Sequence, residues 1–363
     1  MNIVLIAAWG LAVLSMFAVP PDGAYLTYLD GHTLGLLFSL MAVMAGIQRL
    51  GLFNYCAGKM LGCVKTSRQL ELVLVGVSFL SSMVITNDVA LITFVPFSIE
   101  ALSIAKMKSS IVPVVTFQTV AANLGSMMTP IGNPQNLYLY SKSGEGALRL
   151  FLLMLPYGIA AAVLLLIFLL LRKNMSLGIL ALAPSKPIEG KRRLWMYSGL
   201  FLICLMGVGH ILPVWFVVAA VLAAVIAADR PTLLKVDYSL LFTFAGFFIF
   251  IGNMGRIPAF CGFLEQMAAG NEVAVSMAAS QIISNVPAAL LLSGFSEHWD
   301  ALIVGTNLGG LGTLIASMAS LISYRFVAGS CPKLKGRYLG FFTGVNVIFM
   351  ALLFGEYLFV LNL

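Results

Sequence analysis

The chain of 363 residues is 60% hydrophobic and 10% charged, with a mean hydropathy of +1.00. No soluble core of this length can hide that much apolar surface, so lipid must act as its solvent. The net charge of +7 would suit a nucleic-acid partner in a soluble protein, but here the placement of Lys and Arg is read as membrane topology, and no nucleic-acid role is expected.

The first apolar run, 3–19, lacks the basic start of a secretory leader and reads as a retained first helix. A second run covers 34–56. Residues 70–105 form one stretch with Thr86-Asn87-Asp88 near its middle, Lys65 and Arg68 before it, and Lys106 and Lys108 after it. Basic flanks at both ends predict a helical hairpin that enters from the cytoplasm and turns back at the polar triplet. The next stretch, 110–141, is broken by Gly125, Pro130, Gly132 and Pro134, and 149–171 spans. A linker over 175–195, with Pro184, Pro187 and a Lys191-Arg192-Arg193 cluster, leads to the second half. There 196–212, 214–229 and 239–256 span, 272–297 is a hairpin with acidic flanks tipped by Ser284-Asn285, 299–324 is broken at Gly309, Gly310 and Gly312, and 338–360 spans.

The halves share their interruptions. Asn123 and Asn307 are 184 positions apart, and the same shift pairs Leu124 with Leu308, Gly125 with Gly309, Thr129 with Thr313 and Ile131 with Ile315 without a gap. Paired breaks in apolar segments point to the binding site of a secondary transporter. With the N-terminus inside, only Lys142, Arg149 and Arg256 fall outside, so the two halves run in opposite senses and the C-terminus ends outside. The expected fold is therefore an all-α polytopic membrane protein of two inverted repeats, the first over 1–174 and the second, together with a linking helix, over 196–363. Each carries a re-entrant hairpin and a broken transmembrane helix, with about nine full spans plus two hairpins in all.

Asp88 is the one carboxylate expected near mid-membrane, where an ionisable group is costly enough to signal function. It could bind Na⁺ or carry a proton, or cap the second half-helix of its hairpin. Asn87 and Asn285 offer amides that donate and accept, so each can serve an anion or a cation. In the broken helices Gly132 and Gly309 permit unusual backbone and expose carbonyls, and Thr129, Asn133 and Asn136 with Thr313, Ser317 and Ser320 can line a polar cavity; small-residue helix packing is the competing reading. Arg49 and Arg256 read as helix-end residues that snorkel. The cysteines at 56, 63, 204, 261 and 331 have neither a C-x-x-C pair nor a histidine at metal spacing.

The motifs Thr86-Asn87-Asp88-Val89-Ala90-Leu91 and Thr129-Pro130-Ile131-Gly132-Asn133-Pro134-Gln135-Asn136 resemble the ion transporter superfamily over nearly the whole chain. That superfamily includes divalent anion/sodium symporters, citrate transporters, arsenite efflux permeases and a class of sodium/proton antiporters. The resemblance implies that Asn87 with Gly132 and Asn133 builds one site, Asn285 with Thr313 and nearby backbone the other, and that scaffold helices form a homodimer. The tips depart from the Ser-Asn-Thr pattern of the divalent anion symporters. With Asn-Asp at tip 86–88 and Asn-Val-Pro at tip 284–287, the chain more closely resembles arsenite permeases and antiporters.

The expected function is ion-coupled transport of a small carboxylate or oxyanion across an inner membrane. The alternative is a sodium/proton antiporter or an arsenite-type efflux permease. Substrate contacts are assigned to Thr86, Asn87, Asn133, Asn136, Ser284, Asn285, Thr313 and Ser317, and ion coupling to Asp88, Asn87, Thr129, Gly132, Asn285 and Gly309. No cofactor beyond Na⁺ or H⁺ is implied. Neither G-x-x-x-x-G-K-[ST] nor H-E-x-x-H occurs, which argues against an ATP-driven pump or a membrane metalloenzyme.

Overall fold

The apolar runs fold as helices wherever glycine, proline or a polar turn does not interrupt them. The computed structural model describes residues 3–61, 64–177 and 190–361, so most of the 175–195 linker, including Pro184 and Pro187, and Cys63 lie outside the described residues. The first helices are α1 (Ile3–Ala18), α2 (Tyr25–Tyr28), α3 (Gly31–Arg49), α4 (Leu52–Leu61), α5 (Ser67–Ser82) and α6 (Asn87–Ile104). Next come α7 (Ile111–Ser126), α8 (Pro134–Ser143), α9 (Ala147–Leu170), α10 (Lys191–Val208), α11 (Val214–Ala228) and α12 (Tyr238–Met254). The last six are α13 (Pro258–Ala268), α14 (Glu272–Ile283), α15 (Asn285–Ser293), α16 (Trp299–Leu308), α17 (Met318–Ser330) and α18 (Lys335–Leu361). Among the described residues there is no β-strand, only an isolated bridge between Thr66 and Ser176.

Two details differ from the apolar-run reading. The run at 34–56 is two helices, because Gly51 turns the chain with φ +73° between α3 and α4. After the run at 239–256 an additional helix, α13, bends away from α12 by 106°. Among the described residues four helices are long and apolar enough to cross a membrane, five if that bent pair counts as one span. The order long helix, short helix, helix–turn–helix, broken helix, long helix occurs twice, from α3 to α9 and from α12 to α18.

The chain contacts divide it into two units. The first comprises 1–47, 134–147 and 191–306. In it α1 packs along α12, helped by Gly246, where a methyl would sit 3.2 Å from Ala8. Buried Asn253 donates its side-chain amide to Ser15 Oγ at 2.9 Å and to the Tyr25 hydroxyl at 2.8 Å, tying α12 to α1 and α2. The buried Tyr197 ring lies against Gly46, and its hydroxyl donates to Asp229 at 3.0 Å. Arg256 pairs with Asp22 at 2.7 Å just beyond the end of α12.

The second unit comprises 48–133, 148–190 and 307–363. Helix α7 is its centre, buried along its whole length and packed by α5, α6, α17 and α18. Gly125 lets α7 approach α5 closely, for a methyl there would strike the Phe79 carbonyl. Helix α5 starts with a capping box, in which Thr66 accepts from the Gln69 N–H while the Gln69 side chain reaches back. Near that end Arg172 grips the buried Glu71 carboxylate with two hydrogen bonds and also donates to Ser110 Oγ at 2.9 Å, fastening the end of α9 to α5 and to the start of α7.

Candidate functional site

The polar triplet at 86–88 opens α6. Thr86 is its N-cap, with backbone φ −62°, ψ 149° and a hydroxyl that accepts from the Val89 N–H. The hydroxyl takes the capping role considered for Asp88, which instead occupies the first turn of α6, half-buried, where the helix dipole favours its charge. Asn87 is buried, and its Oδ1 accepts the Asp88 N–H at 2.9 Å. Its own backbone N–H donates to the Gly132 carbonyl at 3.0 Å. That contact needs glycine, because a methyl at 132 would run into the Ser126 carbonyl.

A network of amides continues from Asn87. Asn87 Nδ2 donates to Asn123 Oδ1 at 3.1 Å, and Ser317 Oγ donates to the same oxygen at 3.2 Å. Asn123 Nδ2 reaches the Gly310 carbonyl at 3.4 Å. Asn133 Nδ2 donates to Asn307 Oδ1 at 3.0 Å and to Ser126 Oγ at 3.2 Å. Thr129 Oγ1 donates to the Met83 carbonyl at 2.6 Å, bracing the turn that leads into the tip. All four asparagines are at least 95% buried. Buried amides must be paired to be tolerated, and these pair largely with one another.

Two helices begin at this cluster, α6 at Asn87 and α17 just after Ser317, and α7 ends there at Ser126. Helix N-termini attract anions, while the carbonyls at a helix C-terminus and in unwound backbone attract cations. One buried cluster thus offers amide donors, amide acceptors and both dipole ends. Among the described residues no group of three or more His, Cys, Asp or Glu is placed to hold a metal.

The cluster gathers Thr86, Asn87, Thr129, Gly132, Asn133 and Ser317, with Asp88 beside it. Gly309 is buried one residue before Gly310, whereas Thr313 is exposed. Asn123, Ser126 and Asn307 belong to the network, although in the sequence Asn123 and Asn307 stand out only as anchors of the repeat. That pairing was the signal for them.

Asn136, Ser284 and Asn285 lie in the first unit, all buried. Ser284 is a single non-helical residue between α14 and α15, with φ 75° and ψ 153°, a region that only glycine enters without strain. Its Oγ lies 3.5 Å from Asn285 Oδ1, and Asn285 opens α15.

Apolar helices enclosing buried amides at broken helix ends define an integral membrane protein of the transporter class. The family model described as citrate transporter matches residues 1–296, and the chain belongs to that family. It is 31% identical over 321 residues to inner membrane protein YbiR of Escherichia coli, covering 86% of this chain and 84% of that protein. It is 32% identical over 313 residues to the uncharacterized transporter MJ0456 of Methanocaldococcus jannaschii, covering 85% and 84%. A 187-residue match, 28% identical, covers 51% of this chain and 38% of the silicon efflux transporter LSI3 of rice.

Proposed function

We propose that the protein is an ion-coupled secondary active transporter of a small anion, a carboxylate or an inorganic oxyanion, working by alternating access between two inverted repeats, one over 1–174 and the other, with its linking helix, over 196–363. The observation that carries this reading is the amide cluster around Asn87, Asn123, Asn133 and Asn307, which lies at the start of α6 and the unwound centres of two broken helices. Asparagine amides present N–H donors to an anion and carbonyl oxygens to a cation without burying a fixed charge, so an empty site stays tolerable in lipid. Asp88 is the carboxylate that binds Na⁺ or takes a proton, with Thr129 and Gly132 supplying neighbouring oxygens. Ser284 and Asn285 form a second substrate-contacting tip in their own unit. The name of the YbiR relative supports an inner-membrane location, and the distribution of Lys and Arg supports a cytoplasmic N-terminus.

The similarity to a silicon efflux transporter favours a second reading, outward movement of a weakly acidic hydroxide such as silicic or arsenious acid. Thermal denaturation of the purified protein with citrate, succinate, arsenite or silicic acid, each in Na⁺ or choline buffer, separates the two. A ligand at about a hundred times its dissociation constant stabilises the state it binds by about 2.7 kcal/mol. The expected result is carboxylate-dependent stabilisation that Asn87→Ala abolishes. Stabilisation by arsenite or silicic acid alone supports the efflux reading, and none by any ligand overturns both.

A further inference from the structure

The start of α10 and the end of α11, both in the first unit, bound a cavity of about 520 Å³. Arg192, Arg193 and Met196 line it from α10, and Ala227 and Ala228 from the last turn of α11. Because alanine ends at Cβ, that last turn leaves open space beside the two arginines. The acid next in sequence, Asp229, is buried, and its Oδ2 already accepts from the Tyr197 and Thr232 hydroxyls at 3.0 and 2.8 Å. Arg230 turns its Nε onto the Ile226 carbonyl at 2.9 Å, covering one of the α11 carbonyls that would repel an anion. Among the described residues, neither Arg192 nor Arg193 has an acidic partner.

The helices that bound the cavity present apolar faces outward. On α10, Trp195, Gly199, Leu202 and Met206 are exposed at i, i+4, i+7 and i+11, one face of a helix, while Tyr197, Leu200, Cys204 and Val208 are buried on the other. On α11, Phe216, Ala219, Ala223 and Ile226 are exposed in the same way. In a membrane protein such faces meet acyl chains. Trp195, 78% exposed in the turn that carries Arg193, is the residue type that settles at headgroup level. The cavity therefore opens where phosphates lie. Lys191, Arg192 and Arg193 also fill the first turn of α10, which holds no acid, so their charge opposes the helix dipole. Fixing topology requires Lys and Arg near a helix end, but it does not require them to line a cavity.

We propose that this cavity binds the phosphodiester headgroup of an anionic phospholipid, held by Arg192 and Arg193, with the acyl chains lying along the outward faces of α10 and α11. Guanidinium groups match phosphate oxygens in charge and in the geometry of paired hydrogen bonds. Basic pockets between membrane helices are headgroup sites of this kind. Bound phosphate also offsets the positive charge crowded at the start of α10. A zwitterionic headgroup is disfavoured, because its ammonium would face two arginines. The site is separate from substrate binding and does not depend on which anion is transported.

Native mass spectrometry of the full chain, released from micelles with phosphatidylglycerol or with phosphatidylethanolamine of the same acyl chains, tests the site. The expected result is an excess of phosphatidylglycerol adducts of at least about fivefold, as charge-assisted bonds to phosphate require. Arg192→Gln/Arg193→Gln is expected to remove the excess. So is Ala227→Leu, which fills the cavity and leaves every charge in place. Where the double variant does not insert or fold, Ala227→Leu decides. Equal adducts of the two lipids in the wild type overturn the proposal, and so does an excess that survives Ala227→Leu. Thermal denaturation in lipid-free detergent separates lipid from soluble phosphate. Phosphatidylglycerol is expected to raise the melting temperature of the wild type and not of Ala227→Leu, with no rise from inorganic phosphate or glycerol 3-phosphate. Stabilisation by inorganic phosphate without a preference for phosphatidylglycerol would replace the lipid with a soluble anion and overturn the proposal.

Discussion

Asn133 donates its side-chain amide to Asn307 Oδ1 at 3.0 Å, joining the centre of one broken helix to the last turn of the other's first half. Asn123, the repeat counterpart of Asn307, is held in the same way by Asn87. The two halves of the sequence therefore meet through the residues they share.

The first prediction follows from Asn123 accepting from two buried donors. Asn123→Leu keeps the branched side-chain shape but strands Asn87 Nδ2 and Ser317 Oγ, and each unsatisfied buried donor costs about 1–3 kcal/mol. The variant is expected to lose at least about 2 kcal/mol of stability. Combining it with Asn87→Ala should cost less than the sum of the single changes, because both break one bond. A double-mutant cycle by chemical denaturation measures this, and strict additivity would show that the two amides are not coupled.

Gly132→Ala is expected to destabilise the unwound segment by about 1–3 kcal/mol and to abolish transport, because the added methyl meets the Ser126 backbone and displaces the carbonyl that receives the Asn87 N–H. Gly144→Ala is a weaker control. Its φ of 67° costs backbone strain, but nothing lies within 4 Å of the added methyl. Comparing the uptake rates of the two variants separates distortion of the site from strain alone.

Ser284 holds strain at the tip of its hairpin, of the order of 1–3 kcal/mol for a non-glycine residue at its φ and ψ. Ser284→Gly is expected to raise the melting temperature, and Ser284→Ala to keep the strain while removing the hydroxyl. If the hydroxyl contacts substrate, both variants lose affinity. An unchanged dissociation constant in both, measured by isothermal titration, would assign Ser284 to the turn alone.

Much of this is legible in the sequence. The helix start at Asn87, the one-residue break at Ser284 and the breaks at 127–133 and 309–317 follow from polar residues, glycine and proline inside apolar runs, which leave a helix no cheap way to continue, although the turn before α6 falls at 83–86 and leaves Asn87 and Asp88 helical. Helix α13 is not legible, since a short helix carrying Glu265 and Gln266 among apolar residues raises no run long enough to notice. Nor is the participation of Asn123 and Ser126. Both lie within α7, and only the packing of α6 and α17 against it shows that their polar face meets partners.

Asp30 gives a pH-dependent prediction. Its Oδ1 accepts the Thr33 N–H at 3.1 Å at the start of α3, and Lys142 lies 3.5 Å from its Oδ2. Burial alone would raise this carboxyl, but the Thr33 N–H and the Lys142 ammonium outweigh it and hold the group below its usual 3.8. A carboxyl depressed in the folded state contributes stability that is fully present above its unfolded value, about 3.9, and is lost as pH falls through the lower folded value. The melting temperature is expected to drop over that acid window, and Asp30→Asn, which keeps a capping side chain, to flatten the drop. An identical acid profile in the variant would remove Asp30 from the account.

The most direct test of ion-coupled anion transport is uptake of labelled citrate and succinate into proteoliposomes under an imposed inward Na⁺ or H⁺ gradient, with Asn87→Ala alongside. The account predicts accumulation that follows one of the two gradients, collapses when an ionophore dissipates it, and falls at least tenfold in Asn87→Ala. Uptake of the same extent in the variant, or none under either gradient with any carboxylate or oxyanion, would contradict it.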